Sequence, residues 1–76
     1  MRAYVLVHVR TGEEYGVIRA LKSVPGIIRV DFTFGPYDII AEVEAPTLEE
    51  LGMSVSENIR CQPGVTDTLT CLAITS

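Results

Sequence analysis

The sequence predicts an α+β domain of the ferredoxin-like type, ordered β-α-β-β-α-β, with a four-stranded antiparallel sheet and both helices on one face. Three observations predict it. A pattern of strand, T-x-x-E, helix, Pro-Gly-[Ile/Val], strand occurs twice, once with Thr11 and Pro25-Gly26-Ile27, once with Thr47 and Pro63-Gly64-Val65. Apolar residues recur with period two in the outer segments and with helical period between them. The chain has 76 residues, room for one domain.

Residues 2–10 form the first expected strand. Ala3, Val5, Val7 and Val9 share one face, and Arg2, Tyr4, Leu6, His8 and Arg10 the other. Thr11-Gly12-Glu13-Glu14 has the form of a capping box, in which Thr11 accepts a backbone N–H and Glu14 reaches back. A helix is expected over 13–23, with Val17, Ile18, Leu21 and Val24 on its buried stripe and Pro25-Gly26 as its stop.

The second strand is expected over Ile27 to Phe34, with Ile28, Val30, Phe32 and Phe34 opposite Ile27, Arg29, Asp31 and Thr33. Gly35-Pro36 reads as a tight turn, because Gly can take φ > 0 and Pro presets φ. The third strand, 37–45, alternates Tyr37, Ile39, Ala41, Val43 and Ala45 with Asp38, Ile40, Glu42 and Glu44. Thr47-Leu48-Glu49-Glu50 is the second capping box. It opens a helix over 48–61 with Leu48, Leu51, Val55 and Ile59 buried; Gly52 either weakens this helix or permits a close helix–sheet contact. The last strand, Val65 to Thr75, divides into Val65, Leu69, Cys71 and Ala73 against Thr66, Thr68, Thr70, Leu72 and Ile74.

Composition excludes several function classes. The net charge is −4, and the six Lys and Arg residues are scattered singly, so no basic patch is present for nucleic acid. The opening segment is too short and too interrupted for a signal peptide or membrane span. A cytoplasmic protein with reduced Cys61 and Cys71 is expected. The two cysteines form no C-x-x-C pair, and no metal-ligand cluster is visible, so neither a metal nor another cofactor is expected.

Two helices cover one side of a sheet. The other side is expected to carry Tyr4, Leu6, His8, Ile40, Thr68, Thr70, Leu72 and Ile74, more apolar than a solvated face needs to be. A homodimer stacked sheet on sheet, a dimeric α/β sandwich, follows. Covering about 500 Å² of apolar surface per chain would supply roughly 12 kcal/mol of gross stabilisation before association costs.

Ala3-Tyr4-Val5-Leu6-Val7, Val24-Pro25-Gly26-Ile27, Gly35-Pro36-Tyr37-Asp38, and Pro63-Gly64-Val65 with Thr68-Leu69-Thr70 together resemble one known domain. It is the regulatory, amino-acid-binding domain of the leucine-responsive regulatory protein (Lrp)/AsnC family, the RAM domain (regulation of amino acid metabolism). The resemblance covers the whole chain, 1–76, as a single domain, and rests on order and spacing. It implies homodimers assembled into a higher oligomer, a ring of dimers, with an amino-acid effector held between neighbouring dimers. Carried over by position, the ligand-binding residues are Gly35, Pro36, Tyr37, Asp38, Thr68 and Thr70. An amino acid needs an acceptor for its ammonium, which Asp38 supplies, and donors for its carboxylate, which turn N–H groups and threonine hydroxyls supply.

Full-length members of that family carry a helix-turn-helix, whereas this sequence starts directly in the first strand. It therefore resembles the stand-alone form, an effector-binding and oligomerisation module related to transcriptional regulators, with full-length regulators as expected partners and no direct DNA contact. The alternative is a small dimeric α+β barrel enzyme, monooxygenase- or isomerase-like. That chemistry needs polar groups between sheet and helices. The expected interior is apolar and His8 lies on the other face, so no catalytic residue is assigned and an enzyme is not expected. The ACT-domain family shares the element order, but its domains usually pair through sheet edges or helices rather than stacked faces.

Overall fold

The computed structural model describes residues 1–74. Strands β1 (Arg2–Val9), β2 (Ile27–Phe32), β3 (Ile39–Glu44) and β4 (Val65–Ala73) form one sheet in the order β2-β3-β1-β4, every neighbouring pair antiparallel. Helices α1 (Glu14–Lys22) and α2 (Leu48–Ser54) lie in the two crossovers, and α2 runs on into a π-helical turn over Val55–Ile59. This is the expected ferredoxin-like α+β fold.

The core joins both helices to one face of the sheet. Val17 and Leu21 from α1, and Leu51, Val55 and Ile59 from α2 and its extension, meet Ala3, Val5, Val7, Val9, Ile39 and Val43. The β1 and β3 alternations fall as the pattern requires, with Ala3, Val5, Val7, Ile39, Ala41 and Val43 buried. The wide π turn closes with the Arg60 N–H donating to the Val55 carbonyl at 2.9 Å. Leu48 stands outside the core, exposed at the first turn of α2. Gly52 faces open space, so it serves no close helix–sheet contact.

The two capping boxes differ. Thr47 caps α2, accepting the Glu50 N–H on its hydroxyl at 3.1 Å. Thr11 caps nothing. The N-cap of α1 is Glu13, without a side-chain cap bond, and only the reach-back half of the motif forms, Gly12 N–H to Glu14 Oε1 at 2.9 Å. The Pro-Gly stops behave alike. Gly26 and Gly64 both take positive φ, and a Cβ on Gly26 would lie 2.7 Å from the Glu44 carbonyl oxygen.

Two β-bulges correct the expected faces. In β2, Ile27 pairs with Val43 and Arg29 with Glu42, which leaves Ile28 as the extra residue. Ile27 and Val30 therefore both pack on the core, while Ile28 and Phe32 stay exposed. In β4, Val9 pairs with Val65 and His8 with Asp67, which leaves Thr66 extra. Beyond it every side chain is one face over from the expectation. Leu69, Cys71 and Ala73 pair with Leu6, Tyr4 and Arg2 on the open face, whereas Thr68, Thr70 and Leu72 pair with Val7, Val5 and Ala3 on the helix side. Thr75, expected in this strand, lies outside the described residues.

Candidate functional site

The chain reverses between β2 and β3 through a four-residue loop, Phe34–Tyr37, rather than a tight turn. Thr33 closes it. Its N–H donates to the Asp38 carbonyl at 2.8 Å and its hydroxyl to the Tyr37 carbonyl at 2.6 Å. Gly35 does not use a positive φ; its value here is to leave the loop tip uncluttered. Gly35, Pro36 and Phe34 are exposed, and Tyr37 and Asp38 are half-buried.

β1 and β3 are antiparallel neighbours, so the end of β1 lies beside the start of β3, and this juxtaposition builds the site. The Asp38 N–H donates to the Val7 carbonyl at 2.9 Å, and Asp38 Oδ2 accepts the Val9 N–H at 2.7 Å. His8 Nδ1 stands 3.8 Å from the same oxygen. The His8 ring stacks on Tyr37 with centroids 4.1 Å apart. Among the described residues Asp38 Oδ1 takes no hydrogen bond, and the N–H groups of Phe34, Gly35 and Tyr37 donate none. One carboxylate oxygen is thus structural, while the other oxygen and a set of turn donors remain open at the rim of the sheet. The motif reading missed His8 and Val9 as partners of the turn. The signal was there, because the ferredoxin-like strand order already places the end of β1 against the start of β3.

Thr68 and Thr70 do not join this cluster. They lie on the helix side of β4, an edge strand, on the opposite face from His8 and Asp38. Thr68 instead lines a small cavity of about 150 Å³ with Arg60, Val65, Thr66 and Asp67. A second cavity, about 260 Å³, opens on the uncovered face among Tyr4, Arg29, Asp31, Thr33, Ile40 and Glu42, beside the loop. A larger groove of about 460 Å³ runs along α1 past Gly12, Gly16, Ala20 and Pro63, in the helix layer.

The open face has an apolar row, Ile40–Leu6–Leu69, beside Tyr4 and Cys71. Charged pairs flank it, Arg2 with Glu42 at 3.3 Å across β1 and β3 and Arg29 with Asp31 at 3.2 Å on β2. Between sheet and helices no polar or charged residue is buried among the described residues. No described helix is long and apolar enough to cross a membrane.

Comparison with known proteins agrees with this architecture. The family model described as the Lrp/AsnC ligand binding domain matches residues 2–76. The crystal structure of TTHA0845 from Thermus thermophilus is 32% identical with a TM-score of 0.93, covering 99% of this chain and 94% of that one. A transcriptional regulator of Neisseria meningitidis, solved as a complex with L-Met, superposes with a TM-score of 0.84 at 14% identity, covering 97% of this chain and 49% of that one. Homocitrate synthase of Sulfurisphaera tokodaii is 43% identical over 58 residues, which are 76% of this chain and 12% of that protein's length.

Proposed function

The chain belongs to the Lrp/AsnC ligand binding domain family, and on that premise we propose that it is an amino-acid-binding and assembly module whose effector site is completed between copies. The family match establishes an Lrp/AsnC-type ligand-binding domain. The amino-acid ligand, the dimer and the ring of dimers are the proposal.

One observation carries it. The candidate residues divide between opposite faces of one sheet, with Tyr37 and Asp38 on the open side and Thr68 and Thr70 on the helix side of the edge strand. A single small ligand reaches both sets only when a second copy brings its β4 to the loop of the first. Dimerisation through the Ile40–Leu6–Leu69 face leaves the loop and β4 at the rim, free for contacts between dimers. Gly35 and Pro36 let an approaching copy come close to the turn donors. The L-Met complex of the Neisseria regulator supports an amino acid as the class of effector.

Full-length Lrp/AsnC regulators are the partners this reading favours. The match within homocitrate synthase favours a second reading, in which the same kind of module reports to a metabolic enzyme. Multi-angle light scattering with and without each amino acid, paired with calorimetric titration, tests the core of the proposal. A mass of more than two chains that responds to one amino acid is expected. A monomer that binds none of the twenty would sink it. Co-elution with a full-length regulator or with homocitrate synthase separates the two partner readings.

A further inference from the structure

We propose that the outer surface of the two helices is a further self-association surface, on which α1 of one copy packs against α2 of a second copy about a two-fold axis. The contact is separate from the open face of the sheet and from the rim around the loop. It does not depend on which effector binds.

The helices are antiparallel neighbours, because α1 leads from the end of β1 to the start of β2 and α2 from the end of β3 to the start of β4. Pro25, just beyond α1, lines one shallow cavity with Glu50 and Met53 of α2, so the end of α1 lies beside the start of α2. At 3.6 residues per turn, a residue two places from a buried one points away from the core. Arg19 stands two places from Val17 and from Leu21, Met53 two places from Leu51 and from Val55, and Glu49 two places before Leu51. All three are exposed, and so are Lys22 and Glu50.

One end of the helix layer thus carries Arg19 and Lys22 on α1 and Glu49 and Glu50 on α2. Among the described residues none of these four forms an ion pair within the chain, whereas Arg2, Arg10 and Arg29 each do. An axis parallel to the helices sets the start of α2 in the second copy on the end of α1 in the first, and the reverse. Basic then meets acidic twice, which makes the surface its own complement. The spacing also fits the apolar groups. With Glu50 opposite Arg19, an antiparallel run of three residues puts Met53 opposite Gly16. Gly16 and Ala20 line a groove of about 460 Å³ there, with room for an unbranched thioether side chain. Exposed ion pairs are individually weak, so this contact depends on concentration and joins dimers rather than making them.

Sedimentation equilibrium of the full chain from micromolar to millimolar protein, without amino acid, tests it. Wild type should associate as concentration rises. Arg19→Glu with Lys22→Glu leaves both helices acidic, and Glu49→Lys with Glu50→Lys leaves both basic at this end. Each variant alone should associate roughly tenfold or more weakly, since like charges then face each other. Mixed in equal amounts, the two complement each other in both halves of the contact and should recover wild-type association, which a folding defect would not do. Lys22 is the only lysine in the sequence, so zero-length carbodiimide coupling of wild type should give a covalently doubled chain joined from Lys22 to Glu49 or Glu50. Reversed variants that associate as wild type does, a mixture that stays apart, or a doubled chain lacking that link would overturn the contact. Those results leave the open-face dimer and amino-acid binding standing, because Leu69→Glu and titration read them separately.

Discussion

Asp38 Oδ2 accepts the backbone N–H of Val9 at 2.7 Å, joining residues 29 apart in sequence. The turn carboxylate thus caps the end of β1, whose last N–H would otherwise lie half-buried and unpaired. Removing it leaves that donor without a partner, which costs about 1–3 kcal/mol. Asp38→Ala should therefore lower the urea midpoint as well as weaken effector binding. Asp38→Asn keeps a carbonyl oxygen for Val9 and should recover most of the stability without recovering the binding of a positively charged group. Equal recovery of both would reduce Asp38 to a structural residue.

The two capping boxes look alike in sequence and differ in the structure. Thr47→Ala removes a made cap and should cost about 1 kcal/mol. Thr11→Ala removes a hydroxyl with no cap bond and should change stability by less than about 0.5 kcal/mol, as at ordinary surface sites. Denaturant titration of the two variants side by side checks the difference.

Two glycines should respond with opposite sign. Gly52 sits in α2 facing open space, so Gly52→Ala should stabilise by up to about 1 kcal/mol. Gly26 holds φ at +90° with the Glu44 carbonyl 2.7 Å from where a Cβ would go. Gly26→Ala adds backbone strain of about 1–3 kcal/mol to that overlap and should be clearly destabilising. Thermal melts of both proteins suffice to read the signs.

Leu69 and Leu72 are similarly exposed, at 49% and 42%, but the Thr66 bulge puts them on opposite faces. If the apolar face is the dimer face, Leu69→Glu should yield monomers by sedimentation velocity. Leu72→Glu should leave dimers intact. Dissociation by Leu72→Glu alone would move the interface to the helix side of β4.

Much of the fold was legible because it is local. The alternation of β1 and β3, the Val17–Leu21 stripe and the two Pro-Gly stops each express a spacing within a few residues. The candidate site was legible only in part. Tyr37 and Asp38 were found as a turn, but the stacking of His8 and the claim of Val9 on Asp38 belong to a pairing between strands far apart in sequence.

By itself the sequence determined the element order, the internal repeat, the buried faces of β1 and β3, and the family likeness. Tertiary structure alone decided which side of β4 faces the open surface, because a one-residue bulge at Thr66 inverts every later side chain and its position depends on how β4 meets β1. The same pairing separated Thr68 and Thr70 from Asp38. Period-two alternation says which residues share a face; only the ladder to the neighbouring strand says which face that is.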